Sequence, residues 1–298
     1  LMIRRPPRST QGVSSAASDV YKRQPHHQLP IKLNRKHHYA VRYSYIHCSH
    51  TSNHIKLVVF KQVIKVIILI GKNTSGKSQM TRESFDNVKY WIFDLDNTLY
   101  PKTANLFAEI EVKMTSYVME QLQVDFEEAN FLRDYYWKKY GTTLAGMMKE
   151  HEIDPEPYLI DVHNISLKAL TVDHTLQKAI TRLKGQKIVY TNGSKFHARR
   201  VLKARGLTNC FNSVFGVEDA NYIPKPEKNA YLKIIELSNI IPKYSAMFED
   251  EYKNLEVPHQ LGMRTIYISD KNNTEKRHYV TENLTNFLHK LTKDKYGS

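Results

Sequence analysis

The chain has almost no cysteine. Only Cys48 and Cys210 occur in 298 residues, far apart and in no C-x-x-C or other metal-binding spacing. This excludes a disulfide framework and a thiolate metal site, and it fits reduced thiols in the cytoplasm. Long apolar runs are missing as well. The best candidate, residues 55–70, is interrupted by Lys56, Lys61 and Lys65, and a membrane-spanning helix needs about 20 apolar residues. Acidic residues are nearly absent from one region only: residues 1–79 contain Asp19 as their single acid against 14 Lys and Arg. The formal charge of +14 therefore belongs to this leader, because residues 80–298 carry 30 basic and 29 acidic side chains. A nucleic-acid or anionic-membrane partner loses its main electrostatic support.

Within the leader, residues 1–24 resemble translated sequencing adapter, although a nearly acid-free, Arg- and Ser-rich stretch can also be read as a transit peptide. Residues 25–79 are expected to be upstream sequence or a poorly structured extension, with Met80 as the start and 1–79 outside the folded unit. Gly297-Ser298 reads as a cloning scar or a truncation. Residues 71–78, GKNTSGKS, match a phosphate-binding loop behind the apolar run 66–70. Such a loop should be followed by a long helix and further βα units. A different constellation begins about ten residues later instead, so no working nucleotide site is expected there.

What the chain does have is alternation of strand and helix. Residues 88–93 (VKYWIF) form a short β-branched and aromatic run ending at Asp94. Strands return at 187–190, 214–217, 246–248 and 265–268, separated by helical stretches at 195–205, 227–238, 253–261 and 281–293. This order predicts an α/β, doubly wound parallel sheet of Rossmann-like type. Residues 104–185 are helical in pattern, with Leu106, Ile110, Met114, Val118 and Leu122 on one face and further helices near 126–139, 142–151 and 174–184. Pro155 and Pro157 are expected to break the run. The block reads as a helical cap inserted into a core made of 80–103 and 186–298.

Chemistry in such a sheet sits beyond the carboxyl ends of the strands. There the sequence offers Asp94 and Asp96, Thr191 with Asn192-Gly193, Lys225 between Pro224 and Pro226, and Glu249-Asp250. Each alone has an ordinary reading: a surface turn, a turn after a strand, an exposed lysine loop, an acidic pair at a helix start. In this order, at successive strand ends, they form a set suited to phosphoryl transfer. Asp94 is the candidate nucleophile and Asp96 the candidate acid and base. Thr191, Asn192, Gly193 and Lys225 are candidates to hold phosphate. Asp94, Asp96 (through its carbonyl), Glu249 and Asp250 supply the oxygen ligands that Mg²⁺ prefers.

The motifs Asp94-Leu95-Asp96-Asn97-Thr98, Thr191-Asn192-Gly193, Pro224-Lys225-Pro226 and Phe248-Glu249-Asp250 resemble the four signatures of the haloacid dehalogenase superfamily. Asp96 resembles the phosphatase branch, since dehalogenases proper lack an acid there. Longer stretches, FDLDNTLYP, YGTTLAGM, YTNGS with FHARRVL, and NLEVPHQLGM, resemble the pyrimidine 5′-nucleotidase group. That resemblance implies a small phosphomonoester substrate, a pyrimidine nucleotide, with Tyr136, Tyr140, Thr142, Thr143 and His163 close to it. From its cysteine usage, charge distribution and lack of a long apolar run, the chain is expected to be cytoplasmic, a monomer or homodimer, with no nucleic-acid or membrane partner. Departures from the group's pattern fall at Asn164, Ser166, Ala145 and Glu251, outside the four catalytic positions, and bear on substrate choice. Phosphatases for sugar phosphates, phosphoglycolate or lysophospholipids share the chemistry and stay open. Tyr135, Tyr136 and Tyr140 also suit simple packing within the cap. His151, His197 and His259 have no metal-binding spacing and read as surface or helix-end residues.

Overall fold

The computed structural model describes residues 82–270 and 278–292. The leader, the 71–78 loop and Gly297-Ser298 lie outside these residues. Six strands form one parallel sheet: β1 (Tyr90–Phe93), β2 (Gln186–Tyr190), β3 (Ser213–Phe215), β4 (Ser245–Glu249), β5 (Arg264–Ile268) and β6 (Tyr279–Thr281). Their order is β3-β2-β1-β4-β5-β6, with every neighbouring pair parallel. The chain thus winds outward from β1 in one direction and from β4 in the other, as the alternating pattern predicts. The crevice for ligands in such sheets opens where the order reverses, beside β1 and β4.

Side-chain alternation explains why both faces of the sheet are covered. Trp91, Phe93, Val189, Phe248 and Ile266 enter one core, while Ile92, Ile188, Tyr190 and Met247 enter the other. Successive strand residues point to opposite faces, so an unbroken apolar run buries both. Phe93 and Phe248 stack 4.7 Å apart between adjacent strands and lock the register that positions the residues after them.

Five α-helices lie between β1 and β2, and the first four pack on one another: α1 (Leu106–Leu122), α2 (Phe126–Tyr140), α3 (Thr143–His151) and α4 (Pro155–Val162). They pack as α1 on α2, α2 on α3 and α1 on α4. Their starts are written locally. Asp125 accepts the Glu128 N–H at 2.9 Å and Thr142 accepts the Ala145 N–H at 3.2 Å, each satisfying a donor that the first helical turn leaves free. The prolines near 155 begin a helix and do not break one. Asp154 caps α4, with Pro155 in the first turn, where proline's missing N–H is harmless.

The remaining helices are α5 (His174–Thr181), α6 (Lys195–Ala204), α7 (Lys228–Ser238), α8 (Glu256–Gln260) and α9 (Leu284–Thr292). Residues 253–261 divide into a 3₁₀ turn, Tyr252–Leu255, and the short α8. The strand β6 was not legible in the sequence, because three half-exposed edge residues carry no apolar run. Among the described residues, no helix is long and apolar enough to cross a membrane. The helix α5 packs on α9, alongside the sheet, although its pattern continues that of α1–α4.

Arg205 ties these parts together. Its buried guanidinium donates to the carbonyls of Leu99 (3.2 Å) and Thr171 (2.6 Å) and to Asp173 Oδ2 (2.7 Å). Removing such a group leaves a partly exposed carboxylate and two carbonyls without their donor. Arg205→Ala is therefore expected to lower stability by about 1–3 kcal/mol, read as a shift in the urea midpoint with an unchanged slope.

Candidate active site

Sheet register builds the site. Phe93 pairs with Phe248 and Val189, so Asp94 emerges level with Glu249 and beside Tyr190 and Thr191. The chain then turns sharply. The Leu95 carbonyl accepts the N–H groups of Thr98 (3.2 Å) and Leu99 (2.9 Å), and Asn97 adopts φ 57°. Asparagine tolerates that left-handed conformation better than most residues. The turn carries Asp96 off the strand line while Asp94 stays buried at its tip, 5% exposed.

Lys225 comes from the opposite side. Asn192 anchors its loop: the Lys225 N–H donates to Asn192 Oδ1 at 2.8 Å, and Asn192 Nδ2 donates to the Lys225 carbonyl at 3.1 Å. Gly141, at the joint between α2 and α3, lies against the same loop. A Cβ there would come 3.1 Å from the Lys225 carbonyl oxygen, and its φ of +89° already favours glycine. Lysine between two prolines would ordinarily sit in an exposed loop, but Lys225 is only 1% exposed. Its Nζ donates to Asp94 Oδ1 (2.6 Å), Glu249 Oε2 (2.7 Å) and the Tyr190 carbonyl (3.2 Å). Burial alone would drive this amine to shed its proton, but the charges of Asp94 and Glu249 more than offset it and raise its pKa.

The carboxylates feel the same burial in the other direction. Desolvation pushes Asp94 up, with Lys225 opposing and Asp96 reinforcing the shift. Desolvation and the charge of Asp94 likewise raise Glu249 and Asp250. Asp94, Glu249 and Asp250 bring carboxylate oxygens within 4.8 Å of one another, a cluster able to hold a metal ion. Glu249 Oε1 also accepts the Glu251 N–H at 3.2 Å, and Lys102 pairs with Asp250 at 3.3 Å. Lys225 is the one buried cation that bonds this cluster among the described residues.

Asp96 has different company. Its Oδ1 accepts the Tyr100 hydroxyl at 2.7 Å, and Thr191 Oγ1 lies 3.4 Å from Oδ2. Burial pushes its carboxyl up, but contacts with His197 and Tyr100 outweigh that and leave it below the usual value. The Gly193 N–H donates to Thr191 Oγ1 at 2.9 Å, which turns the hydroxyl of Thr191 towards Asp96 and engages a donor that the sequence assigns to phosphate. The side chain of Asn192, likewise assigned to phosphate, holds the Lys225 loop.

A cavity of about 370 Å³ opens above this cluster, within the range usual for small ligands. Asp94, Asp96, Thr191, Asn192, Gly193, Lys225, Glu249 and Asp250 all line it, together with Thr142, Thr143 and His163. Tyr136 and Tyr140 do not. Tyr136 is buried between helices with its hydroxyl 2.6 Å from His151 Nε2, and the Tyr140 hydroxyl bonds Glu150. Their packing role wins because both lie on the side of α2 that meets α3.

The helices contribute residues that sequence reasoning did not single out: Arg133, Trp137, Phe107, Glu111 and Tyr158. Arg133 and Trp137 stand one helical turn apart on α2, a spacing that does signal a shared face. Arg133 Nη1 holds Glu111 Oε1 at 2.9 Å, and Lys253 Nζ sits 3.4 Å above the Trp137 ring. Nor is His197 a surface residue. It is fully buried and stacks on His163 with ring centroids 4.3 Å apart. Burial, and then the neighbouring His197, lower the pKa of His163 to about 3, so it is a neutral imidazole at neutral pH. His151 and His259 are exposed, as their sequence context suggests.

A family model described as haloacid dehalogenase-like hydrolase matches residues 88–262. The chain is 25% identical over 215 residues to Phosphate metabolism protein 8 of Saccharomyces cerevisiae, an alignment covering 66% of this chain and 67% of that one. Among solved structures it is similar to a HAD phosphatase from Thermococcus onnurineus, with 18% identity, a TM-score of 0.48, and coverage of 68% of this chain and 97% of the other. It is also similar to the HAD-hydrolase YfnB from Bacillus subtilis bound to magnesium, with 16% identity, a TM-score of 0.46, and coverage of 68% and 98%.

Proposed function

The chain belongs to the haloacid dehalogenase-like hydrolase family, and from that premise we propose that it is a Mg²⁺-dependent phosphomonoesterase acting through an aspartyl phosphate on pyrimidine nucleoside 5′-monophosphates. The observation that carries the reading is the contrast between two carboxylates two residues apart. Asp94 is buried and held by Lys225 Nζ at 2.6 Å, while Asp96 stands off the strand on the Tyr100 hydroxyl at 2.7 Å. One is fixed for attack. The other is placed to exchange a proton.

In this reading an Asp94 oxygen attacks phosphorus, the ester P–O bond breaks, and Asp96 passes a proton to the leaving oxygen. Water then attacks the aspartyl phosphate, Asp96 takes back a proton, and inorganic phosphate leaves with Asp94 restored. Lys225 balances the charge of Asp94 and the phosphoryl group. The Thr191 hydroxyl and main-chain N–H groups near Asp94 bind its oxygens. An acid at position 96 is what hydrolysis of an ester requires and displacement of a halide does not.

The cluster of Asp94, Glu249 and Asp250 offers only hard oxygen donors, which fits Mg²⁺, and these residues with the Asp96 carbonyl would hold it. When bound, Mg²⁺ neutralises charge on the transferring phosphoryl oxygens. Treatment of the full chain with EDTA is expected to lower phosphate release at least about 100-fold, with Mg²⁺ restoring it. Activity untouched by EDTA would remove the metal from the reading.

The pyrimidine nucleotide rests on the cavity wall. Phe107 and Trp137 offer aromatic surface to a base, and the Arg133–Glu111 pair offers a donor and an acceptor to its edge. The yeast relative named for phosphate metabolism is consistent with the chemistry, and the near absence of cysteine with a cytoplasmic setting. A panel of UMP, CMP, AMP and glucose 6-phosphate decides the substrate. UMP and CMP are expected to lead by about 10-fold or more in kcat/KM. Release from the other esters only would keep Asp94 and discard the pyrimidine.

A further inference from the structure

His197 has no part in the steps above, yet it is completely buried on α6 with Nε2 3.5 Å from Asp96 Oδ1. Neither ring nitrogen has a hydrogen-bond partner within the protein. An unpaired buried polar group costs about 1–3 kcal/mol, so a phenylalanine or leucine would fill the same space more stably. The imidazole is held in place from behind. It stacks on His163 with 15° between the ring planes, and His163 Nδ1 is in turn fixed by Ser194 Oγ at 3.1 Å. Ser194 also accepts the His197 N–H at 3.2 Å as the cap of α6, so one serine sets the position of both rings.

The contacts around Asp96 are unevenly shared. Oδ1 faces both the Tyr100 hydroxyl at 2.7 Å and His197 Nε2 at 3.5 Å, whereas Oδ2 has only the 3.4 Å contact with Thr191. A short hydrogen bond and a longer imidazole contact on Oδ1, against one long hydroxyl contact on Oδ2, leave Oδ2 the oxygen more available for a proton. The contact from His197 is longer than a normal hydrogen bond, and contacts of this kind tighten when the reacting complex forms.

We propose that His197 is a positioning residue: together with Tyr100 it holds Asp96 Oδ1 so that Oδ2 faces the cavity and exchanges the proton with the leaving oxygen. This rests on the phosphatase reading and adds a residue to it. His197 touches neither substrate nor phosphorus. It acts through Asp96 alone, so its loss should matter in proportion to how much the leaving group needs a proton.

The test compares two esters on one preparation of the full chain. UMP, or whichever alkyl phosphate the panel ranks first, leaves as an alkoxide and needs protonation. 4-Nitrophenyl phosphate leaves as a stable phenolate. The steps reported by kcat/KM end with departure of the leaving group, and the ratio of the two values does not depend on how much of a variant is folded. Proton transfer by a placed side chain contributes about 10²–10⁴-fold, so His197→Phe is expected to lower the alkyl-to-nitrophenyl ratio at least about 10-fold. His197→Gln, whose amide N–H can take the place of Nε2–H, is expected to recover it to within about 3-fold of wild type. A ratio unchanged in His197→Phe, or one that His197→Gln does not recover, overturns the proposal. Wild-type protein that releases phosphate from neither ester would sink the phosphatase reading itself, and this inference with it.

Discussion

Asp94→Asn is expected to lower kcat/KM for phosphate release at least about 10⁴-fold, with little change in stability. The neutral amide has the shape of the carboxylate, so Phe93 and Phe248 keep their stack and the strand tip keeps its place. What disappears is the anionic oxygen that, in the proposed mechanism, attacks phosphorus and becomes the aspartyl phosphate. Lys225 keeps Glu249 as a partner at 2.7 Å, which is why the fold should survive the change. Colorimetric phosphate release beside a urea melt separates the two effects. Activity within about 100-fold of wild type, in a preparation free of host phosphatase, would mean that the nucleophile lies elsewhere.

Lys225→Met should damage both the reaction and the fold. The lysine is the buried cation between Asp94 and Glu249, and methionine keeps most of its volume without its charge. Breaking a buried ion pair from one side costs about 3–5 kcal/mol, because the remaining charge stays buried and unpaired. Phosphate release is expected to fall about 10³-fold, since the group proposed to balance the nucleophile and the phosphoryl oxygens is gone. The stability loss has a predictable pH dependence in metal-free protein. Burial already raises Asp94, Glu249 and Asp250, and removing the ammonium raises all three further. A carboxyl raised in the folded state disfavours folding once pH exceeds its unfolded value, and the penalty is relieved as pH falls. The gap in urea midpoint between variant and wild type should therefore narrow from pH 8 to pH 5. A gap that is constant across that range would mean that lost packing, and not charge, causes the instability.

Both predictions begin from motifs that a reader of the sequence can find, but the reasons for their size do not. Asp94, Thr191 and Glu249 are legible because each ends an apolar run, and the end of a buried parallel strand is a place where a polar residue must have a purpose. Lys225 was legible as a motif, yet its prolines suggested an exposed loop. Only the Asn192 anchor and the contact with Gly141 bring it under the cavity. Tyr136 and Tyr140 show the opposite failure. Their spacing allowed either packing or ligand contact, and the docking of α2 on α3 turned them inward. His197 falls inside the FHARRVL stretch of the resemblance, but nothing local marks it for the site, since a histidine near the start of a basic helix looks like any exposed one.

The sequence by itself determined the sheet, the order of its strands' chemistry and the types of residue at their ends. Unbroken apolar runs, capping residues and turn-forming Asn97 act over a few neighbours, and those preferences are written in local composition. Tertiary structure alone decided which oxygen of Asp96 is held, how Lys225 is shared between Asp94 and Glu249, and which face of the helices walls the cavity. These depend on the docking of elements tens of residues apart, as in the 131-residue separation between Asp94 and Lys225. Distances of a few ångströms across such separations are set by how whole helices and strands pack, and no local pattern encodes them.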